Sequence, residues 1–170
     1  MKGFVEISPE QLGNAMKCIG KDCMLITVRD RKKGKANAMT ASWGAMGVLW
    51  NKNVCICFIR PQRHTYSLLE KENELSIAFV GEDRRNAIAV CGRESGRDCD
   101  KLAKCGLTLT SIDGVPVINE AQTVLICKKL YEDDLREDCF LDSELLSNYA
   151  ARDYHRFYVC EIKKVYKRGE

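Results

Sequence analysis

The 170-residue chain has no C-x-x-C pair, and its two histidines, His64 and His155, lie far apart. The ligand spacings of ordinary structural metal sites are therefore missing. No apolar run approaches the roughly 18 residues that a membrane span requires. The N-terminus, Met1-Lys2-Gly3-Phe4-Val5-Glu6, turns acidic before any apolar stretch develops. That pattern predicts no secretory leader and a cytoplasmic protein with reduced thiols. No basic block is longer than Arg31-Lys32-Lys33, and the net charge is only +3, so nothing demands a nucleic-acid partner. No G-x-G-x-x-G follows a strand, which excludes a dinucleotide held in the Rossmann manner. Internal repeats, low-complexity tracts and linkers are also missing, as expected of a single domain over residues 1–170.

What is present is ordinary in bulk: 45% apolar and 30% charged residues. The ten cysteines are many, yet too few for a disulfide scaffold. Cys55 and Cys57 flank Ile56 and so share one face of a strand; most of the thiols read as small buried hydrophobes.

Ser8-Pro9-Glu10-Gln11 predicts a capped helix from Pro9 to Ile19, stopped at Gly20. Residues 24–59 read as an antiparallel meander: Met24–Val28, a turn at Arg31–Lys35, Ala36–Trp43, Ala45–Trp50, a turn at Asn51–Asn53, and Val54–Ile59. Helices are expected at Tyr66–Lys71 behind a Thr65 cap, at Asp83–Val90, at Arg97–Lys104 behind Ser95, and at Ser143–Ala151. Cys91–Gly96 reads as a loop. Further strands are expected at Glu74–Val80, Leu107–Thr110, Val115–Ile118, Thr123–Tyr131 and Phe157–Tyr166. The acidic stretch Glu132–Asp142 reads as an exposed loop. Many antiparallel strands with helices between them argue for a mainly β fold, a closed or split barrel with excursions.

Three stretches carry chemistry. In Asn37–Trp43, small residues at Thr40, Ala41 and Ser42 allow close approach to the backbone, and Trp43 offers a stacking face. Taken alone, the same stretch reads first as a strand end with a half-buried tryptophan. Arg60, Arg63, His64 and Thr65 gather where a strand gives way to a helix, a place suited to an anion or to nothing more than a capped basic loop. Ser95–Lys101 is a second strand-to-helix turn with a hydroxyl, a glycine and two cations, and it too reads either as an anion site or as a capped surface helix. His155 stands between Tyr154 and Arg156. No nucleophile–base arrangement emerges from the spacings.

In order, N-A-M-T-A-S-W (37–43), R-P-Q-R-H-T-Y (60–66), C-G-R-E-S-G-R-D-C-D-K (91–101) and D-Y-H-R-F-Y-V-C-E-I (153–162) resemble the flavin reductase-like, FMN-binding split-barrel family, in its flavoredoxin-type branch. The resemblance implies a homodimer of antiparallel, Greek-key-like split β-barrels, each binding FMN non-covalently near the subunit interface. It implies that Asn37, Thr40, Ser42 and Trp43 follow the flavin ring and ribityl chain. Arg63 and Thr65, with Arg60, would grip the phosphate. Ser95 and Lys101 would form the second anion-binding turn, and His155 would lie near the flavin. Aligning His155 requires residues 134–150 to be an insertion, and this acidic segment is where the chain departs most from the family. Catalytic side chains are not implied, because FMN carries the redox step.

Two functions follow from the resemblance. One is an oxidoreductase that reduces flavin or a small acceptor with NAD(P)H. The other is an FMN electron carrier reduced by a redox protein, for which the acidic segment would be a docking surface. A small barrel that binds nucleic acid or protein has only the strand pattern and the Arg31–Lys35 turn behind it.

Overall fold

The computed structural model describes residues 3–169. Strand β1 covers Phe4–Ile7, β2 Met24–Asp30, β3 Lys35–Ala41, β4 Gly44–Leu49 and β5 Lys52–Ile59. Helix α1 (His64–Leu69) precedes β6 (Glu74–Phe79), and α2 (Arg85–Arg93) and α3 (Lys101–Lys104) follow. The short hairpin β7 (Leu109–Ile112) and β8 (Val115–Ile118) leads to the long strands β9 (Thr123–Asp134) and β10 (Arg156–Arg168).

One antiparallel sheet runs β3-β2-β6-β9-β10-β5-β4, with β1 added beside the end of β10, while β7 and β8 pair apart. The protein is mainly β, and the sheet curls into a split barrel. Its two end strands, β3 and β4, are consecutive in the chain but are not hydrogen-bonded to each other. Only Ser42 and Trp43 connect them, so these two residues cross the split.

Period-two patterning builds two cores. Met24, Ile26 and Val28 of β2 point into the barrel with Ile59, Ile77 and Leu125. Leu25, Ala38, Ala78 and Val124 face outward, under Ala87 and Cys91 of α2, Leu102 of α3 and Val117 of β8. Cys55 and Cys57 share the inner face as expected, and Cys127 and Cys160 join them there. Burial raises the Cys55 and Cys127 thiols well above their ordinary range, so they act as small hydrophobes. Five of the ten cysteines are buried, four are partly buried, and Cys139 is exposed. Among the described residues, no helix is long and apolar enough to cross a membrane, and no cluster of His, Cys, Asp and Glu is placed to hold a metal.

Several local expectations are corrected. The helix expected at Pro9–Ile19 is only a 3₁₀ turn at Pro9–Gln11, after which Leu12 is extended. Gly13 weakens helix continuation, and Asn14 Oδ1 then accepts from Lys17 N–H at 3.2 Å, opening a separate wide turn over Lys17–Asp22 that runs past Gly20. The β4–β5 turn lies at Trp50–Asn51 rather than Asn51–Asn53. Both residues have positive φ (52° and 56°), as a two-residue hairpin of primed type requires. Helix α1 starts at His64, not Tyr66, with Arg63 in the cap position; Thr65 lies inside the first turn and is fully buried. Helix α2 extends through Cys91–Arg93, which were expected in a loop. Helix α3 starts at Lys101, because Asp100 Oδ1 rather than Ser95 is its cap, accepting from Ala103 N–H at 3.2 Å. Strand β9 continues to Asp134 through the first three residues of the expected acidic loop, because Arg156 of β10 holds Asp134 with two bonds of 2.7 and 2.9 Å. Ser143–Tyr149 is 3₁₀.

Candidate functional site

Two hollows lie side by side along β3 and the split. The first, of about 200 Å³, is lined by Asn37, Met39, Arg63, His64, Thr65, Ser95, Gly96 and Lys101, with Gln62, Arg93 and Glu94. The second, of about 270 Å³, is lined by Met39, Thr40, Ala41, Ser42, Trp43, Phe58, Arg60, Arg63 and His155. Met39 and Arg63 belong to both. The ten residues singled out from the sequence therefore distribute between two adjoining hollows.

The first hollow is cationic. Lys101 is only 3% exposed, and its Nζ donates to the carbonyls of Glu94 at 3.1 Å and Cys91 at 3.4 Å. Arg63 donates to the carbonyls of Gly92 at 2.6 Å and Cys91 at 3.0 Å. Neither side chain has a carboxylate partner among the described residues; the nearby Glu94 carboxylate pairs with Lys104 instead, at 2.8 Å. Desolvation lowers the pKa of both cations, and the Arg63 charge lowers that of Lys101 further. Asn37 Nδ2 donates to Thr65 Oγ1 at 2.8 Å, which leaves the Thr65 hydroxyl hydrogen available as a donor. The chain at Gly96 lies directly on Asn37: a Cβ there would overlap Asn37 Oδ1. Ser95 Oγ accepts from Arg97 N–H at 3.2 Å and shapes this turn. His64 Nε2 meets Asp30 at 3.0 Å, whereas its Nδ1 is buried with no partner among the described residues.

The second hollow is aromatic. Trp43, 45% exposed, packs against His155 with ring centroids 5.0 Å apart, and Phe58 meets His155 edge-on at 6.4 Å. Arg60 lines this hollow and not the cationic one, where Lys101 lies; Arg63 reaches both. Its guanidinium donates to Asp153 at 2.5 Å and to the Asn148 carbonyl at 2.9 Å. Thr40 Oγ1 donates to the Ile88 carbonyl at 2.6 Å, binding β3 to α2 and leaving only acceptor capacity toward the hollow. Burial lowers the His155 pKa to about 4, with the Arg60 charge contributing, so the imidazole is neutral at pH 7.

Sequence reading missed Met39, Phe58 and Gln62. Met39 was hidden because it looks like any inward strand residue. Phe58 becomes visible only through the register that sets it opposite Phe157, two residues beyond His155.

The sequence description "Flavin reductase like domain" matches residues 16–170. Solved structures share the fold. An FMN-binding domain of a flavin reductases-like enzyme from Shewanella baltica superposes with a TM-score of 0.69 at 16% identity, over 97% of this chain and 77% of that one. Flavoredoxin from Methanosarcina acetivorans gives 0.66 at 20% identity, over 96% and 75%. The styrene monooxygenase flavin reductase of Pseudomonas putida gives 0.62 at 11%, over 85% and 78%. No curated protein matches the sequence. With the matched region covering nearly its whole length, the chain belongs to the flavin reductase like domain family.

Proposed function

We propose that this chain is a cytoplasmic FMN-binding oxidoreductase that passes electrons from NAD(P)H to flavin or a small acceptor. One observation carries the flavin reading: two cations, the buried Lys101 and the half-buried Arg63, lack carboxylates in a hollow that adjoins an aromatic one. Buried charge without a counter-charge is costly, and a phosphate dianion supplies that counter-charge. The donor set therefore fits the phosphate end of FMN, and the Trp43–Phe58–His155 hollow fits the ring end.

In this reading Arg63, Lys101 and the Thr65 hydroxyl bind the phosphate, and Asn37 orients Thr65. Ser95 shapes the turn that closes over them. Thr40, Ser42 and Trp43 line the flavin's path from phosphate to ring, and Trp43 and His155 bound the ring. Arg60 acts at the ring end, its charge balanced by Asp153. Bound FMN supplies hydride and electron transfer. The protein's part is to bind it, orient it and keep water off one face. A homodimer across β4 would cover the exposed Trp43.

Purified protein should be yellow, or become so when FMN is added, and anaerobic NADH or NADPH should bleach it within seconds. A colourless protein that takes up no FMN sinks the flavin reading. FMN uptake without bleaching by either nicotinamide would instead favour the carrier reading. The acidic residues 132–142 support that alternative as a docking surface for a redox protein.

A further inference from the structure

We propose that Tyr149 is a positioning residue: its hydroxyl fixes the tautomer of His155, so that the imidazole offers its Nε2–H as a hydrogen-bond donor to the ring hollow. What that donor meets rests on the flavin reading; the donor itself does not.

Tyr149 ends the 3₁₀ stretch Ser143–Tyr149, in the segment between β9 and β10 where the chain departs from its family's pattern. This segment is latched to the ring hollow. Arg60 donates to Asn148 O and stands over the Tyr149 ring at 5.2 Å. Tyr149 stacks on Tyr154 at 4.9 Å and packs against Phe140 at 5.7 Å. Its ring is thus fixed from several sides and buried, at 5% exposure. Among the described residues its hydroxyl has one partner, His155 Nδ1, at 2.9 Å.

A neutral imidazole has one protonated and one bare nitrogen. A proton on Nδ1 would be donated to the Tyr149 oxygen, leaving the phenolic hydrogen buried with no acceptor. With Nδ1 bare, the phenol donates to it and both groups are satisfied at that contact. The proton then sits on Nε2, because the hydrogen bond made by one ring nitrogen sets the state of the other. Nε2 lies across the ring from Tyr149, and His155 lines the ring hollow. Unlike the orphaned Nδ1 of His64, it is not sealed off without a partner. A fixed N–H here favours the form of the flavin that carries more negative charge, the reduced one.

The test is Tyr149→Phe, which removes the hydroxyl and keeps the ring that stacks on Tyr154 and Phe140. Long-range ¹H–¹⁵N spectra of histidine-labelled apo-protein read the tautomer directly, and with only two histidines in the sequence the signals are assignable. Wild-type His155 should be protonated on Nε2. In the variant its Nδ1 signal should move toward the average of two tautomers. In FMN-loaded protein the variant's midpoint potential should fall while FMN affinity holds. Wild-type His155 protonated on Nδ1 would overturn the proposal, as would a variant unchanged in both tautomer and potential. The expected tautomer in a protein that binds no flavin would refute the flavin reading alone and leave the positioning of the N–H standing.

Discussion

At the residue scale, Lys101 separates binding from stability. It is buried without a carboxylate, so the apo-protein holds it at a desolvation cost. Lys101→Met should therefore leave the apo-protein melting no lower than wild type. A charge-assisted hydrogen bond contributes about 1.5–3 kcal/mol, so the same change should weaken FMN binding by roughly 10- to 150-fold. Fluorescence titration and melts with and without FMN check both halves, and a variant that binds FMN like wild type removes Lys101 from the phosphate site. His155 gives a second signature. Its folded pKa is about 4, below the ordinary 6.5, so the unfolded chain takes up a proton that the folded protein refuses. This contribution is present above pH 6.5 and is lost as pH falls from 6.5 toward 4, at no more than about 1.4 kcal/mol per pH unit. Urea unfolding at pH 7 and pH 5 should show a smaller acid loss in His155→Gln than in wild type. Equal losses in the two proteins would contradict the burial of a neutral imidazole.

At the element scale, the turn between α2 and α3 is set by contact rather than by local propensity. Gly96 stands where a Cβ would overlap Asn37 Oδ1, and Asn37 in turn orients Thr65. Gly96→Ala should destabilise by about 1–3 kcal/mol, the usual range for overpacking, and should weaken FMN binding as well. Adding Asn37→Ala should recover part of the stability, because the two positions share one space; strictly additive effects in chemical denaturation would refute the contact. The same distinction explains what the sequence made legible. Strands with period-two patterning, such as Met24–Val28 and Val54–Ile59, were readable, because their signal lies within the strand. The Asp113-Gly114 turn was readable too, since both residues have positive φ. Helix starts were less legible. Thr65 and Ser95 have the right chemistry for caps, but Thr65 is drawn inward by Asn37, and Asp100 caps α3 instead. Which residues line the two hollows was legible through family motifs. The division of Arg60 from Lys101 was not, because Asp153, ninety-three positions away, draws Arg60 to the ring side.

At the scale of the whole molecule, the split leaves one face open. Among the described residues β4 ends the sheet and pairs only with β5. An edge strand presents unpaired backbone groups, and here it also carries Leu49 at 38% exposure, with Trp50 at 56% in the turn that follows. Trp50 extends this face to Tyr131, with centroids 6.4 Å apart, and Tyr131 extends it to Phe157 at 6.0 Å. Contiguous apolar surface of this kind marks an interaction site more often than free surface. Trp43 immediately precedes β4, so a second copy seated on the strand would also shelter the open side of the ring hollow. The homodimer reading therefore couples assembly to flavin affinity. Wild-type protein should sediment at twice the 19.3 kDa of the chain. Leu49→Glu places a charge on the side of β4 that shares the sheet face of Tyr131 and Phe157, outside the lining of the phosphate hollow, and should shift the species to monomer. Because Arg63 and Lys101 are untouched, inorganic phosphate should compete with FMN for the variant as it does for wild type, while FMN itself binds more weakly through its exposed ring. A wild-type monomer that binds FMN tightly would show that the β4 face serves something other than a second copy of this chain.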